Sequence, residues 1–136
     1  MVVTSDISPT DDIHPKDKKS VGIRLANLAL NNHYKKRNDL VNGPLFKDIK
    51  IEKNKVIVNF DYSDGLYFKD KKNNQFEIAG VDGVFHQAKA EIKNNQVILQ
   101  FKEVKNPTKV RFAWANTAQS QLLNKANLPA STFISE

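Results

Sequence analysis

Two periods of apolar and polar residues run along the 136 residues, and they change over near residue 38. Before the change, Val21, Leu25, Leu28 and Asn32 follow one another at i, i+4, i+7 and i+11, with Ala26 and Ala29 beside them. That spacing is an apolar stripe on a helix. Pro15 suits the first helical position, where the N–H it lacks would have no partner. His33, Lys35, Lys36 and Arg37 put positive charge where the helix dipole favours it. A helix is expected over about 15–34, preceded by a polar loop and a short apolar run at 1–3.

After the turn signal Asn42-Gly43-Pro44 the apolar positions alternate. Residues 47–51 and 56–60 flank Glu52-Lys53-Asn54-Lys55, and residues 88–92 and 97–101 flank Lys93-Asn94-Asn95-Gln96, which predicts two β-hairpins. Shorter apolar stretches lie at 65–68, 76–79 and 84–85. Val110, Phe112 and Trp114 fall in phase on one face of a further strand, and this assigns Trp114 to the core. Residues 117–136 show no period and are expected to run across the surface. Short strands without intervening helices indicate an antiparallel sandwich. The fold class expected is therefore mainly β with an N-terminal helix, in two parts, 1–38 and 39–136. The first part cannot bury its helical stripe alone, because a stable domain needs a second layer. Either the helix packs on the β part, or its partner lies outside this chain.

Composition removes several functions. With 40% apolar residues and only five Gly and five Pro, the chain can bury a modest core and does not read as disordered. The absence of cysteine excludes disulfides, thiolate nucleophiles and Cys-ligated zinc. His14, His33 and His86 are scattered without metal-ligand spacing, so no metal is expected. The net charge of +6 invites a nucleic-acid reading, but among 21 basic residues only Arg24, Arg37 and Arg111 are arginine, the forked donor that phosphate and groove recognition favour. The lysines are dispersed among asparagines, as an AT-rich coding sequence also produces, and read as a solvated surface; no nucleic acid is expected as partner. No apolar run approaches the ~18 residues of a membrane span, and MVVTSDISPTDD carries neither the basic nor the apolar region of a secretory signal.

Asp11-Asp12-Ile13-His14-Pro15 is the segment with catalytic grammar. A histidine acting as general base toward a hydroxyl needs one ring nitrogen facing the nucleophile and the other held by an acceptor that fixes its tautomer. Asp11, three residues earlier on a loop entering a helix, could be that acceptor and His14 the base. The same five residues also fit a second reading, in which Asp11 or Asp12 caps the helix and His14 is a surface loop residue. Trp114, Tyr67 and Tyr62 could together form an aromatic platform for a sugar. Arg111, on the face opposite Trp114, could pair with a sugar carboxylate or with an acidic neighbour.

The rest of the chain extends the pattern. Asp11-x-x-His14-Pro15-x-Asp17-Lys18, then Gly43-Pro44-Leu45, Phe76-Glu77-Ile78-Ala79-Gly80, Val110-Arg111-Phe112-Ala113-Trp114-Ala115-Asn116 and Leu128-Pro129-Ala130-Ser131 resemble, in order and spacing, the C-terminal portion of the sialate O-acetylesterases, over nearly the whole chain. That family belongs to the SGNH hydrolases, whose flavodoxin-like α/β domain carries a Ser, Gly, Asn and His set. The resemblance implies that residues 1–38 are the last strand, loop and helix of such a domain and that 39–136 are the β-rich domain following it. It implies His14 as catalytic histidine, Asp11 as its partner, no cofactor, and a periplasmic or secreted setting. The substrate implied is an O-acetylated sialic acid or other acetylated sugar. Asn127 stands where the family has Gly, and Thr132 where it has Pro. None of the serines stands in a Gly-x-Ser block, and a general base without nucleophile and oxyanion donors does not hydrolyse esters. The chain therefore reads as the last third or less of a carboxylic ester hydrolase, inactive alone and dependent on a missing N-terminal catalytic segment. The rival is a non-catalytic β-sandwich module that binds glycans or a protein partner.

Overall fold

The computed structural model describes residues 1–12, 14, 16–36 and 39–135. One helix, α1 (Lys18–Asn32), precedes ten strands: β1 (Leu45–Glu52), β2 (Lys55–Asp61), β3 (Tyr67–Phe68), β4 (Phe76–Ala79), β5 (Phe85–Gln87), β6 (Lys89–Lys93), β7 (Gln96–Gln100), β8 (Lys109–Phe112), β9 (Leu122–Leu123) and β10 (Phe133–Ile134). Two four-stranded sheets form, in the orders β1-β2-β7-β6 and β10-β8-β4-β5, and β3 pairs with β9. Every pairing is antiparallel. The chain is mainly β with an N-terminal helix, as the periods predict.

Both expected hairpins form, and turn chemistry sets their register. Lys53 takes φ 57° where Glu52 pairs with Lys55, and Asn94 and Asn95 take φ 52° and 59° where Lys93 pairs with Gln96. In the second turn asparagine, which tolerates the left-handed conformation, fills both of its positions, whereas in the first turn the left-handed position falls on Lys53 and not on Asn54. Each strand then turns alternate residues inward. Val56, Val58 and Phe60 of β2 and Val97 and Leu99 of β7 share one core with Phe76 and Ile78 of β4, Val110 and Phe112 of β8, and Phe133 of β10. The two sheets face each other across that core. Phe76 and Phe112 lie 4.6 Å apart between ring centres, and Phe46 stacks on Phe133 at 4.3 Å.

Several expectations need correction. The helix begins at Lys18, capped by Asp17, whose side chain accepts the N–H of Ser20; Pro15 lies outside the described residues. No strand forms at 1–3, since a strand exists only by pairing and no strand among the described residues pairs with these. Trp114 is 49% exposed, because β8 stops at Phe112 and Ala113 takes φ 49°, which ends the alternation one residue before the ring. The tail is no surface strand-less arm: Leu122, Leu123, Asn124, Ala130, Phe133 and Ser135 are all buried. Its two strands are two residues each, too short to show a period.

The helix is packed on a different face from the expected stripe. Val21, Arg24, Leu28 and Asn31 are half-buried, whereas Leu25 is exposed. Ile23, Ala26 and Leu30 on one flank and Leu25 and Ala29 on the other remain in solvent, and no helical residue is fully buried. Apolar side chains thus lie on more than one side of α1, among the lysines and asparagines it also carries.

Candidate functional site

The loop before α1 is fixed at both ends. Arg24 reaches back from the helix: its Nη1 donates to the Val3 carbonyl at 2.8 Å and to Asp6 Oδ1 at 2.7 Å, and its Nη2 donates to Asp6 Oδ2 at 2.7 Å. Both side chains are nearly buried, and the hydrogen bonds that Arg24 donates to Asp6 raise the guanidinium pKa above its usual value. Ser8 donates through its backbone N–H and its hydroxyl to the Thr4 carbonyl, at 3.0 and 2.9 Å. At the helix end, Asp17 has its carboxyl pKa lowered, chiefly by hydrogen bonding with Ser20.

Between these anchors stand the candidate catalytic residues. His14 and Asp11 are both exposed. The backbone N–H of His14 donates to Asp12 Oδ1 at 2.8 Å, whereas Asp11 and His14 share no hydrogen bond. Asp12 therefore turns the loop and Asp17 caps the helix, so neither Asp11 nor Asp12 has the capping role that the second reading gave them. Asp11 lines a groove of about 650 Å³. One wall is residues of the 5–12 stretch and the other is the 116–119 turn of the β part, and Gln119 Nε2 joins them by donating to the Ser8 carbonyl at 2.8 Å. The periods of the sequence held no sign of that second wall, which lies more than a hundred residues away. Ser8 also lines the groove, but its hydroxyl proton is committed to Thr4 and is not offered to an imidazole.

The remaining candidates are structural. Arg111 donates to Glu77 from Nε at 2.7 Å and from Nη2 at 3.0 Å, and its guanidinium lies 4.2 Å from the centre of the Phe85 ring. It pairs with an acidic neighbour and is not left for a sugar carboxylate; Glu77 raises its pKa. His86 is half-buried and stacked on Phe101 at 5.3 Å, and His33 forms the C-cap of α1, edge-on to Tyr34. Tyr62, Tyr67 and Trp114 are exposed but do not stack on one another, and the Tyr67 hydroxyl donates to Asn127 at 2.8 Å. Among the described residues no three His, Asp or Glu side chains cluster as a metal site needs.

Most of the motif series has a packing reason. Glu77 and Arg111 face each other in the β4–β8 register. Gly43 meets the 128–129 segment so closely that an added Cβ would lie 1.9 Å from the Pro129 carbonyl oxygen. Asn127 occupies the left-handed region at φ 57°, which accounts for asparagine where the family has glycine. Thr132 donates its hydroxyl toward the Phe112 and Ala113 carbonyls, each at 3.0 Å, an interaction proline cannot make. Among the described residues of the series, the side chains of Asp11 and His14 are exposed and make no hydrogen bond.

No family model matches the chain. Over 83 residues, 58% of its length, it is 34% identical to the sialate O-acetylesterases of Rattus norvegicus and Homo sapiens, of which the match covers 15% and 16%. The crystal structure of a carbohydrate acetylesterase from Xanthomonas citri matches 99% of the chain with a TM-score of 0.89 and 33% identity, and the chain covers 32% of that protein. The resemblance to sialate O-acetylesterases carried by the motif series is borne out: the chain is similar to hydrolases of carbohydrate esters, and it spans a minor part of their length.

Proposed function

We propose that these 136 residues act as the C-terminal segment of an SGNH-type acetylesterase, residues 1–38 completing its catalytic α/β domain and residues 39–136 forming the β domain that follows. The observation that carries this reading is the match of the whole chain, at 33% identity, to part of a carbohydrate acetylesterase three times its length. The helix supports it independently. Ile23, Leu30 and Leu25 are 49%, 37% and 54% exposed on opposite flanks of α1, a surface that the remaining two-thirds of such an enzyme would cover.

In this reading His14 is the general base. It takes the proton of a serine hydroxyl, supplied from outside these residues, as the oxygen attacks the acetyl carbonyl. It then returns that proton to the sugar oxygen as the ester bond breaks; water hydrolyses the acetyl-serine by the same two transfers. Asp11 turns its carboxylate to the second ring nitrogen once the catalytic segment packs on α1, and by itself the chain has no esterase activity. The substrate is an O-acetylated sialic acid or related acetylated sugar.

Complementation tests it. The chain is mixed with the part of the Xanthomonas citri acetylesterase that precedes the matched segment, and acetate release from O-acetylated sugars is measured. Release from the mixture and from neither piece alone is expected. Hydrolysis by the chain alone, or a stable complex without hydrolysis, would overturn the reading.

A second reading, a glycan-binding module without catalytic role, is favoured by a separate groove of about 440 Å³ that Tyr67, Lys71 and Glu91 line. Its ligand would be held on the face of β3 and β6, away from the 11–14 loop.

A further inference from the structure

We infer that the groove between the 5–12 stretch and the 116–119 turn is a carbohydrate subsite that takes an electrically neutral acetylated sugar in preference to a sialate. This rests on the esterase reading and narrows its substrate class.

The lining has the chemistry of polyol recognition. Thr10 and Thr117 present hydroxyls, Asn116 and Gln119 present amides, and Asp11 and Asp12 present carboxylates. Sugar hydroxyls both donate and accept, and a carboxylate accepting from a hydroxyl forms the stronger, charge-assisted kind of hydrogen bond. Asn116 and Thr117 are exposed and have no hydrogen-bond partner in the chain, so their polar groups are available to a ligand. The volume, about 650 Å³, lies within the range of roughly 300–1,000 Å³ typical of small-molecule sites.

The wall is also braced in advance. Gln119 holds the Ser8 carbonyl, Gln121 Nε2 donates to the Gln119 carbonyl at 3.0 Å, and Gln75 Oε1 accepts the Gln121 N–H at 3.2 Å. Ala118 closes the turn by donating its N–H to the Ala115 carbonyl at 3.0 Å. The backbone of the turn that carries Asn116 and Thr117 is therefore held in place, and less of it has to be ordered on binding.

Charge decides the class of sugar. Asp11 and Asp12 line the groove, and among the described residues no Lys or Arg does. Arg24, the guanidinium that reaches the 1–8 stretch, is committed to Asp6. A sialate carboxylate would enter beside two like charges with no cation to pair with, whereas a neutral pyranose meets no such opposition.

The test is an NMR titration of the ¹⁵N-labelled chain with two probes, an O-acetylated xylo-oligosaccharide and 9-O-acetyl-N-acetylneuraminic acid, at low and high salt. The neutral probe is expected to shift the amides of 8–12 and 116–119, and to bind about fivefold more tightly than the anionic one at low salt, a gap that closes as salt screens it. Asn116→Lys supplies the missing cation and should close the gap at low salt, while Asn116→Asp should widen it. Both replacements are at an exposed position, and an unchanged spectrum elsewhere checks the fold. Equal or tighter binding of the sialate, shifts confined to the groove beside Tyr67, or no shifts at millimolar probe would each overturn the inference. The complementation assay separates the two claims. Acetate release without groove shifts removes the subsite alone, and groove shifts without acetate release remove the esterase reading alone.

Discussion

Replacing Asn124 with alanine should unfasten the β domain from the segment that leads into it. The side chain is fully buried and makes four hydrogen bonds across three parts of the chain. Its Nδ2 donates to the carbonyls of Asn42 at 2.8 Å and Tyr62 at 3.0 Å, while Oδ1 accepts the N–H groups of Ala126 at 3.1 Å and Leu128 at 3.2 Å. A buried hydrogen bond contributes about 1 kcal/mol net, and a buried group left without a partner costs about 1–3 kcal/mol. Ala126 is exposed and water can replace its partner, so the loss should amount to roughly 2–4 kcal/mol. At this chain length that corresponds to a fall in Tm of about 6–15 °C. Urea unfolding followed by circular dichroism should show a lower midpoint at unchanged slope. Asn124→Asp is the informative companion, because it keeps both accepted bonds but turns a buried carboxylate onto two carbonyl oxygens. Its folded pKa must rise, so its stability should be best below the unfolded value near ~3.9 and fall as pH climbs through the folded one. A loss below about 1 kcal/mol for Asn124→Ala, or an aspartate variant whose deficit ignores pH, would refute this account of the junction.

Other expectations are equally direct. Gly43→Ala would drive a methyl group to 1.9 Å from the Pro129 carbonyl oxygen, so a backbone shift is forced and thermal unfolding should begin well below that of the parent. Asp17 has its pKa lowered by its bonds with Ser20; its capping contribution is present above the unfolded pKa and is lost as pH falls through the folded one, so helical circular dichroism should weaken on acidification in the parent and be flat in Asp17→Asn. Ile23→Glu and Leu30→Glu alter exposed positions and should change the unfolding free energy of the chain by no more than about 0.5 kcal/mol. In the complemented enzyme the same replacements should abolish assembly and acetate release, and intact activity would show that α1 is not covered.

The sandwich is legible where turn chemistry and alternation agree, as at Asn94-Asn95. It was illegible where a single backbone angle interrupts the pattern: Ala113 at φ 49° sends Trp114 outward although its spacing matches Val110 and Phe112. The tail shows no pattern in the sequence because β9 and β10 are two residues long and draw their stability from partners distant in sequence, Phe68 for Leu122 and Phe112 for Phe133. The start of the helix is ambiguous in the sequence because Pro15 and Asp17 are both good N-terminal residues, and only the bond to Ser20 distinguishes the cap. Of the candidate site, the Asp11-x-x-His14 block could be read directly, since its elements are adjacent in the chain. The 116–119 wall could not, because Gln119 reaches Ser8 only after two sheets have folded between them.

The central claim is that His14 moves the proton. In the complemented enzyme, kcat/KM for an acetylated sugar should fall at least ~100-fold in His14→Gln, the scale on which a general base contributes, with complex formation unchanged. A variant within about threefold of the parent would be a loss of under 1 kcal/mol of transition-state stabilisation, and would contradict the assignment of His14 as the base.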